Sequence, residues 1–264
     1  MSTRILVSAA AAVAAAGLST QSVHAQDGQE AGGSSSGSGR FTLGTELGVS
    51  FLPSIKIKDY VPGPGQFGIE GVEAAVDAGV AWNVDVGYRI NDWFGVEVES
   101  GYYRNGFGGF EGGAFTSGAG STPIEGGDGS FTQIPLFLNA KFSVPLLERT
   151  AGSEGGTIRL DLTAGLGAVH VAADIDGIAA AGLPAAGTAA VDGGSWGFGG
   201  QFGVGVTWEV RSNVEIGLGY RLMVVEGANF GTAAFSDPTL AGVAPVETET
   251  VFTNAIQATL SIRF

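Results

Sequence analysis

The chain ends on "NAIQATLSIRF" (254–264). Ile256, Ala258, Leu260, Ile262 and Phe264 are apolar; Gln257, Thr259, Ser261 and Arg263, between them, are polar. A period of two is the mark of a β-strand with one face in apolar surroundings. Chain ends are usually polar and frayed, yet this one finishes on a strand and a bare aromatic ring. The same period recurs upstream and predicts eight strands: 41–51, 77–90, about 93–104, 131–144, 157–171, 195–210, 214–225 and 250–264.

The links between these strands alternate in length. "IND" (90–92) and "RSN" (211–213) read as tight polar turns, and 145–156 is also short. Residues 52–76, 105–130, 172–194 and 226–249 are long and rich in Gly, Pro, Ala and Ser. Short turns on one side and long loops on the other give an up-and-down barrel, with both ends of an even-stranded sheet on the short-turn side.

A soluble sandwich or barrel also alternates, so the two faces must be compared. On our reading of the strands, the apolar face carries no Asp, Glu, Lys or Arg. The opposite face carries Glu46, Asp77, Asp85, Arg89, Glu97, Glu99, Lys141, Arg159, Asp161, Glu209, Glu215, Arg221 and Arg263. Arg or Lys facing lipid at mid-depth costs about 2–4 kcal/mol, which is reason enough for a lipid face to exclude them. Glycines also collect on the polar face, among them Gly44, Gly87, Gly101 and Gly165. There they make room inside a narrow barrel. Phe41, Tyr88, Phe94, Phe142, Trp208 and Phe264 mark one end of the apolar face, and Trp82, Tyr102, Trp196, Phe198 and Phe252 the other. Two aromatic rings are the interfacial girdles of a membrane barrel. The predicted fold is all-β: an eight-stranded antiparallel transmembrane β-barrel over residues 40–264.

Composition agrees. Of 264 residues, 14% are charged and 46 are Gly; soluble domains carry about 25% charged residues and ~7% Gly. There is no Cys, which excludes disulfides and thiolate-bound metals. A net charge of −14 argues against nucleic-acid binding. Arg4, the apolar run 5–18 and "VHA" (23–25) read as a secretory signal cut between Ala25 and Gln26. A Gly/Ser-rich linker, 26–39, follows.

With the signal segment, "VGYRINDWFGVEVESGYY" (86–103), "QIPLFLNAKF" (133–142) and the terminal "SIRF", the chain resembles small eight-stranded outer-membrane proteins of the OmpA-like and OmpX-like barrel-domain superfamily. The resemblance implies a place in the bacterial outer membrane, among its lipids and lipopolysaccharide. It also implies that the assembly machinery reads the last strand and Phe264.

The inward charges are the candidate functional constellation. Glu46, Asp85, Glu97, Glu99 and Asp161 are expected to meet Lys141, Arg159 and Arg221, since buried charges must be paired. Such a network either plugs the lumen or lines a gated path for ions or small solutes. No catalytic residue, metal site or cofactor is expected. His170, the lone His after the signal segment, falls on the outward face, and "ADIDG" (173–177) lacks the rest of a calcium loop. The long loops suit an external ligand and an adhesion or envelope role. Lys56 and Lys58 are expected as a basic contact with lipid headgroups.

Overall fold

The computed structural model describes residues 40–61, 68–117, 120–147, 156–180, 188–236 and 245–264. The expected cleavage between Ala25 and Gln26 and the linker 26–39 lie outside the described residues. The strands are β1 (Phe41–Phe51), β2 (Ile55–Lys56), β3 (Gly68–Val76), β4 (Gly79–Arg89), β5 (Phe94–Ser117), β6 (Gly120–Leu147), β7 (Ile158–Ala180), β8 (Ala189–Arg211), β9 (Val214–Val225), β10 (Asn229–Thr232), β11 (Ala234–Phe235), β12 (Pro245–Glu247) and β13 (Val251–Arg263).

Eight of them close a ring. β1 pairs with β4 on one side and β13 on the other, and the circuit runs antiparallel through β4, β5, β6, β7, β8, β9 and β13. Closure by β13 matters because an open strand edge in hydrocarbon leaves its N–H and C=O groups unsatisfied. In the closing register Leu47 faces Ala258 and Val49 faces Ile256. The Phe264 N–H donates to the Phe41 carbonyl at 2.9 Å. Outward hydroxyls are satisfied within the sheet: Thr45 Oγ1 donates to the Asn83 carbonyl, and Ser100 Oγ to the Pro135 carbonyl. Leu47, Leu138, Leu166 and Leu218 are more than 60% exposed. Such a surface is stable only against lipid.

The bounds of β1 and β9 match the sequence pattern. β5, β6, β7 and β8 are far longer than it predicts, at 23 to 28 residues. Segments 105–130 and 172–194, expected as loops, are largely continuations of these hairpins. The alternation persists there with its phase reversed. Along β7, Leu160, Leu162 and Leu166 point outward, whereas Val169, Val171, Ala173 and Ile175 point inward. The environment explains the reversal: above the outer girdle the outside of the barrel meets water and the inside becomes the apolar core. A second shift is made by glycines. Gly127 on β6 and Gly177 on β7 hold positive φ, and between Ile175 and Ile178 the register of β7 slips against β8. Beyond this point the inward positions pass from odd to even numbers, at Ile124 and Ile178.

The remaining strands wall the other side of this extension. β2 pairs with β3 and β3 with β5; β10 pairs with β12 and β11 with β8; Ile57 bridges to Thr248. They enclose Phe107, Phe131, Phe230, Ile69, Val72 and Val191, all buried. The Phe131 ring centroid lies 6.2 Å from that of Phe107 and 6.1 Å from that of Phe230. A cavity of about 50 Å³ remains among them. Phe230→Ala removes a side chain that is 2% exposed and is expected to cost about 3–5 kcal/mol locally. Limited proteolysis then cuts within 226–249, while the transmembrane barrel keeps its heat-modifiable gel mobility.

Candidate functional site in the barrel lumen

The inward positions of the eight barrel strands stack polar side chains in layers. Nearest the short turns, Glu215 on β9 receives three arginines. Arg159 Nη1 donates at 2.9 Å, Arg89 Nη2 lies at 3.7 Å, and Arg263 makes the third pair. Arg159 also reaches Glu209 at 3.5 Å. In the next layer Lys141 Nζ meets Glu97 at 3.1 Å. Asp161 accepts hydrogen bonds from Ser143 Oγ (2.6 Å) and Thr207 Oγ1 (2.9 Å). Asp85 is buried with no direct ion pair among the described residues.

At mid-depth Arg221 on β9 bridges Glu46 on β1 and Glu99 on β5. Amides brace this centre. Asn139 Nδ2 and Gln201 Nε2 donate to Glu99 Oε2 at 2.9 and 3.2 Å, Gln201 Nε2 donates to Asn139 Oδ1 at 2.7 Å, and Arg221 donates to Gln201 Oε1 at 3.1 Å. Asn83 Nδ2 donates to the Tyr103 hydroxyl at 2.9 Å. One layer higher, Thr253 Oγ1 donates to Gln133 Oε1 at 2.8 Å. Above that begins the apolar core.

Glycine makes this packing possible. A Cβ on Gly44 would lie 2.2 Å from Asp85 Oδ1; one on Gly101, 1.9 Å from Asn83 Oδ1; one on Gly165, 1.9 Å from Asn139 Oδ1. These polar side chains lie flat across the neighbouring strand, in space that only glycine leaves.

The structure thus brings Arg221 to Glu46 and Glu99, gives Glu97 to Lys141, turns Arg159 toward Glu209 and Glu215, and leaves Asp161 with two hydroxyls. Three expectations are corrected. Asp77 is exposed at the base of the extension, against Gly106 and Gly108, because β4 begins after it. The lipid-side face is not free of charge: Arg104 is exposed on the outward face of β5, at the outer rim. Lys56 and Lys58 pair with Glu73 (3.4 Å) and Glu247 (3.3 Å) within the extension. The bracing residues Asn83, Asn139, Gln201, Gln133 and Tyr103 were missed because attention to charge passed over neutral polar groups; their inward phase was the available signal. His170 packs edge-on against Trp196, with centroids 5.3 Å apart. Among the described residues no group of three or more His, Asp or Glu side chains is placed to hold a metal ion.

A closed antiparallel ring with an apolar outside and a charged inside defines a transmembrane β-barrel of the bacterial outer membrane. The family model for the outer membrane protein beta-barrel domain matches residues 6–264, and the chain belongs to that family. No curated protein sequence matches it. Among solved structures it is similar to Neisserial surface protein A (15% identity, 85% of this chain and 97% of that one, TM-score 0.43). It is also similar to OprG from Pseudomonas aeruginosa (15%, 85% and 97%, 0.47) and to Ail of Yersinia pestis (13%, 85% and 99%, 0.37).

Arg221→Ala strands Glu46 and Glu99 without their partner. The expected loss is about 3–5 kcal/mol, read as a lower urea midpoint for unfolding in detergent micelles. Adding Glu99→Gln is expected to recover part of it, since one of the two stranded charges is then gone.

Proposed function

We propose that this protein is a plugged, non-conducting barrel whose work is done by its extracellular extension, in envelope integrity or adhesion. The observation that carries this reading is the reach of Arg221. Its strand and that of Glu99 stand four places apart in a ring of eight, so the pair crosses the full width of the lumen. Thr253 on β13 and Gln133 on β6 cross it again, one layer higher. An eight-stranded barrel is just wide enough for side chains to fill. The outward side of the extension carries Glu111, Glu125, Asp128, Asp174, Asp176 and Asp192, all but one on β6–β8 and all exposed. That charge favours a basic external ligand.

A small cation channel is the second reading. One observation favours it: the lumen holds seven acids (Glu46, Asp85, Glu97, Glu99, Asp161, Glu209, Glu215) against five bases (Arg89, Lys141, Arg159, Arg221, Arg263). Planar-bilayer recording separates the two. The plugged barrel gives no unitary steps; stable openings that vanish in Arg221→Ala or Glu46→Ala establish the channel instead. A catalytic role has no support in the lumen or at His170, which faces outward.

Phe264 is exposed at the end of β13, at the level of Phe41 in the periplasmic girdle. We assign it the role of assembly signal. Its deletion is expected to lower the amount of protein recovered from outer-membrane fractions. An unchanged yield refutes that assignment.

A further inference from the structure

Arg104 is out of place for a lipid-facing wall. Among the described residues it is the one Arg or Lys pointing outward from the eight barrel strands above the short turns. Its position is set by register. Trp82 pairs with Tyr102 in the outer girdle, and the next outward pair is Val80 with Arg104. The guanidinium therefore sits at the height of the outer leaflet's headgroups. It is exposed, with no ion pair or side-chain hydrogen bond among the described residues. The neighbouring outward carboxylate, Asp77, lies over Gly106 and Gly108, one step farther from the membrane. Higher still, Asp174 faces Asp192 and Asp128 faces Asp176 across β6–β8. Along β5–β8, among the described residues above the short turns, Arg104 is the one outward cation, and the outward charges above it are carboxylates.

Below Arg104 the wall is hollowed. An apolar groove of about 710 Å³ crosses β5–β9, floored by Ala140, Ala164 and Gly200 and bordered by Val96, Leu138 and Phe202. Val96 shares the outward face of β5 with Arg104. Thr132, the partner of Arg104 on β6, lies six residues above Leu138. At ~3.3 Å per residue and a tilt of ~40°, that drop is about 15 Å, half of the ~30 Å hydrocarbon core. A cation at headgroup height with an apolar groove about 15 Å below it, at mid-bilayer, matches the phosphate and acyl chain of a phosphorylated lipid of the outer leaflet.

We propose that Arg104 and this groove form a binding site for the phosphorylated glycolipid of the outer leaflet. The guanidinium holds a phosphate through paired N–H donors, which suit that geometry, and one acyl chain lies over Ala140, Ala164 and Gly200. The site is independent of whether the lumen conducts.

Native mass spectrometry of the full chain in mild detergent tests this, with diphosphoryl lipid A, lipid A stripped of phosphate, and phosphatidylglycerol as probes. One diphosphoryl lipid A per barrel is expected, with either other probe held more weakly. Arg104→Gln is expected to weaken retention about tenfold, and Arg104→Lys by less. Gly200→Leu fills the groove and is expected to weaken it as well. A Cβ there makes ordinary contact with Leu166, at 3.5 Å. Heat-modifiable mobility verifies the fold of each variant. Equal retention by Arg104→Gln, equal binding of the phosphate-free or phosphatidylglycerol probe, or a dimer of the chain in place of the lipid complex overturns the proposal.

Discussion

Everything in this molecule depends on the pairing of β13 with β1. In hydrocarbon no water is present to bond a stray N–H or C=O, so a sheet survives only without edges. The final eleven residues supply the strand that removes the last edge. Their alternation and their lack of charge on one side follow from that position. The pairing also fixes the number of strands at eight, and that number fixes the bore.

The bore in turn dictates the lumen. At this diameter long polar side chains from opposite strands meet at the axis, as Arg221 and Glu99 do. Shorter carboxylates and amides must lie down along the wall, where glycines receive them. The high glycine content and the segregation of charge are thus two results of one dimension. Ion pairs so deep are held by mutual neutralisation, and each is costly to break from one side alone.

The membrane-spanning part was legible in the sequence because lipid is an uncompromising solvent. It demands an apolar residue at every second position, and the eight segments show it. The rest was hidden by a change of phase. Above the outer girdle the same strands run on, but water lies outside and the apolar set moves to the inner face. Val169, Val171, Ala173 and Ile175 still alternate with polar or small neighbours; they do so on the opposite parity from Leu160, Leu162 and Leu166. Read against a single parity, "AADIDG" (172–177) looks like a loop. The positive-φ glycines Gly127 and Gly177 mark where the parity shifts once more. The lumen was legible in its charges and not in its amides, since the sequence shows which face a residue occupies and not which partner it meets across the axis. Arg104 lay at the end of an expected strand and broke the charge rule there.

The unequal lengths of the strands have a mechanical meaning. β6 and β7 run without interruption from the periplasmic turns to the outer tip of the extension, joined by one antiparallel ladder. Their hydrogen bonds stand perpendicular to the strands. A pull on the tip, along the strands, therefore loads many of those bonds together in shear instead of peeling them one at a time. The extension is a handle forged in one piece with its anchor, and tension applied outside the cell passes directly into the membrane-spanning wall.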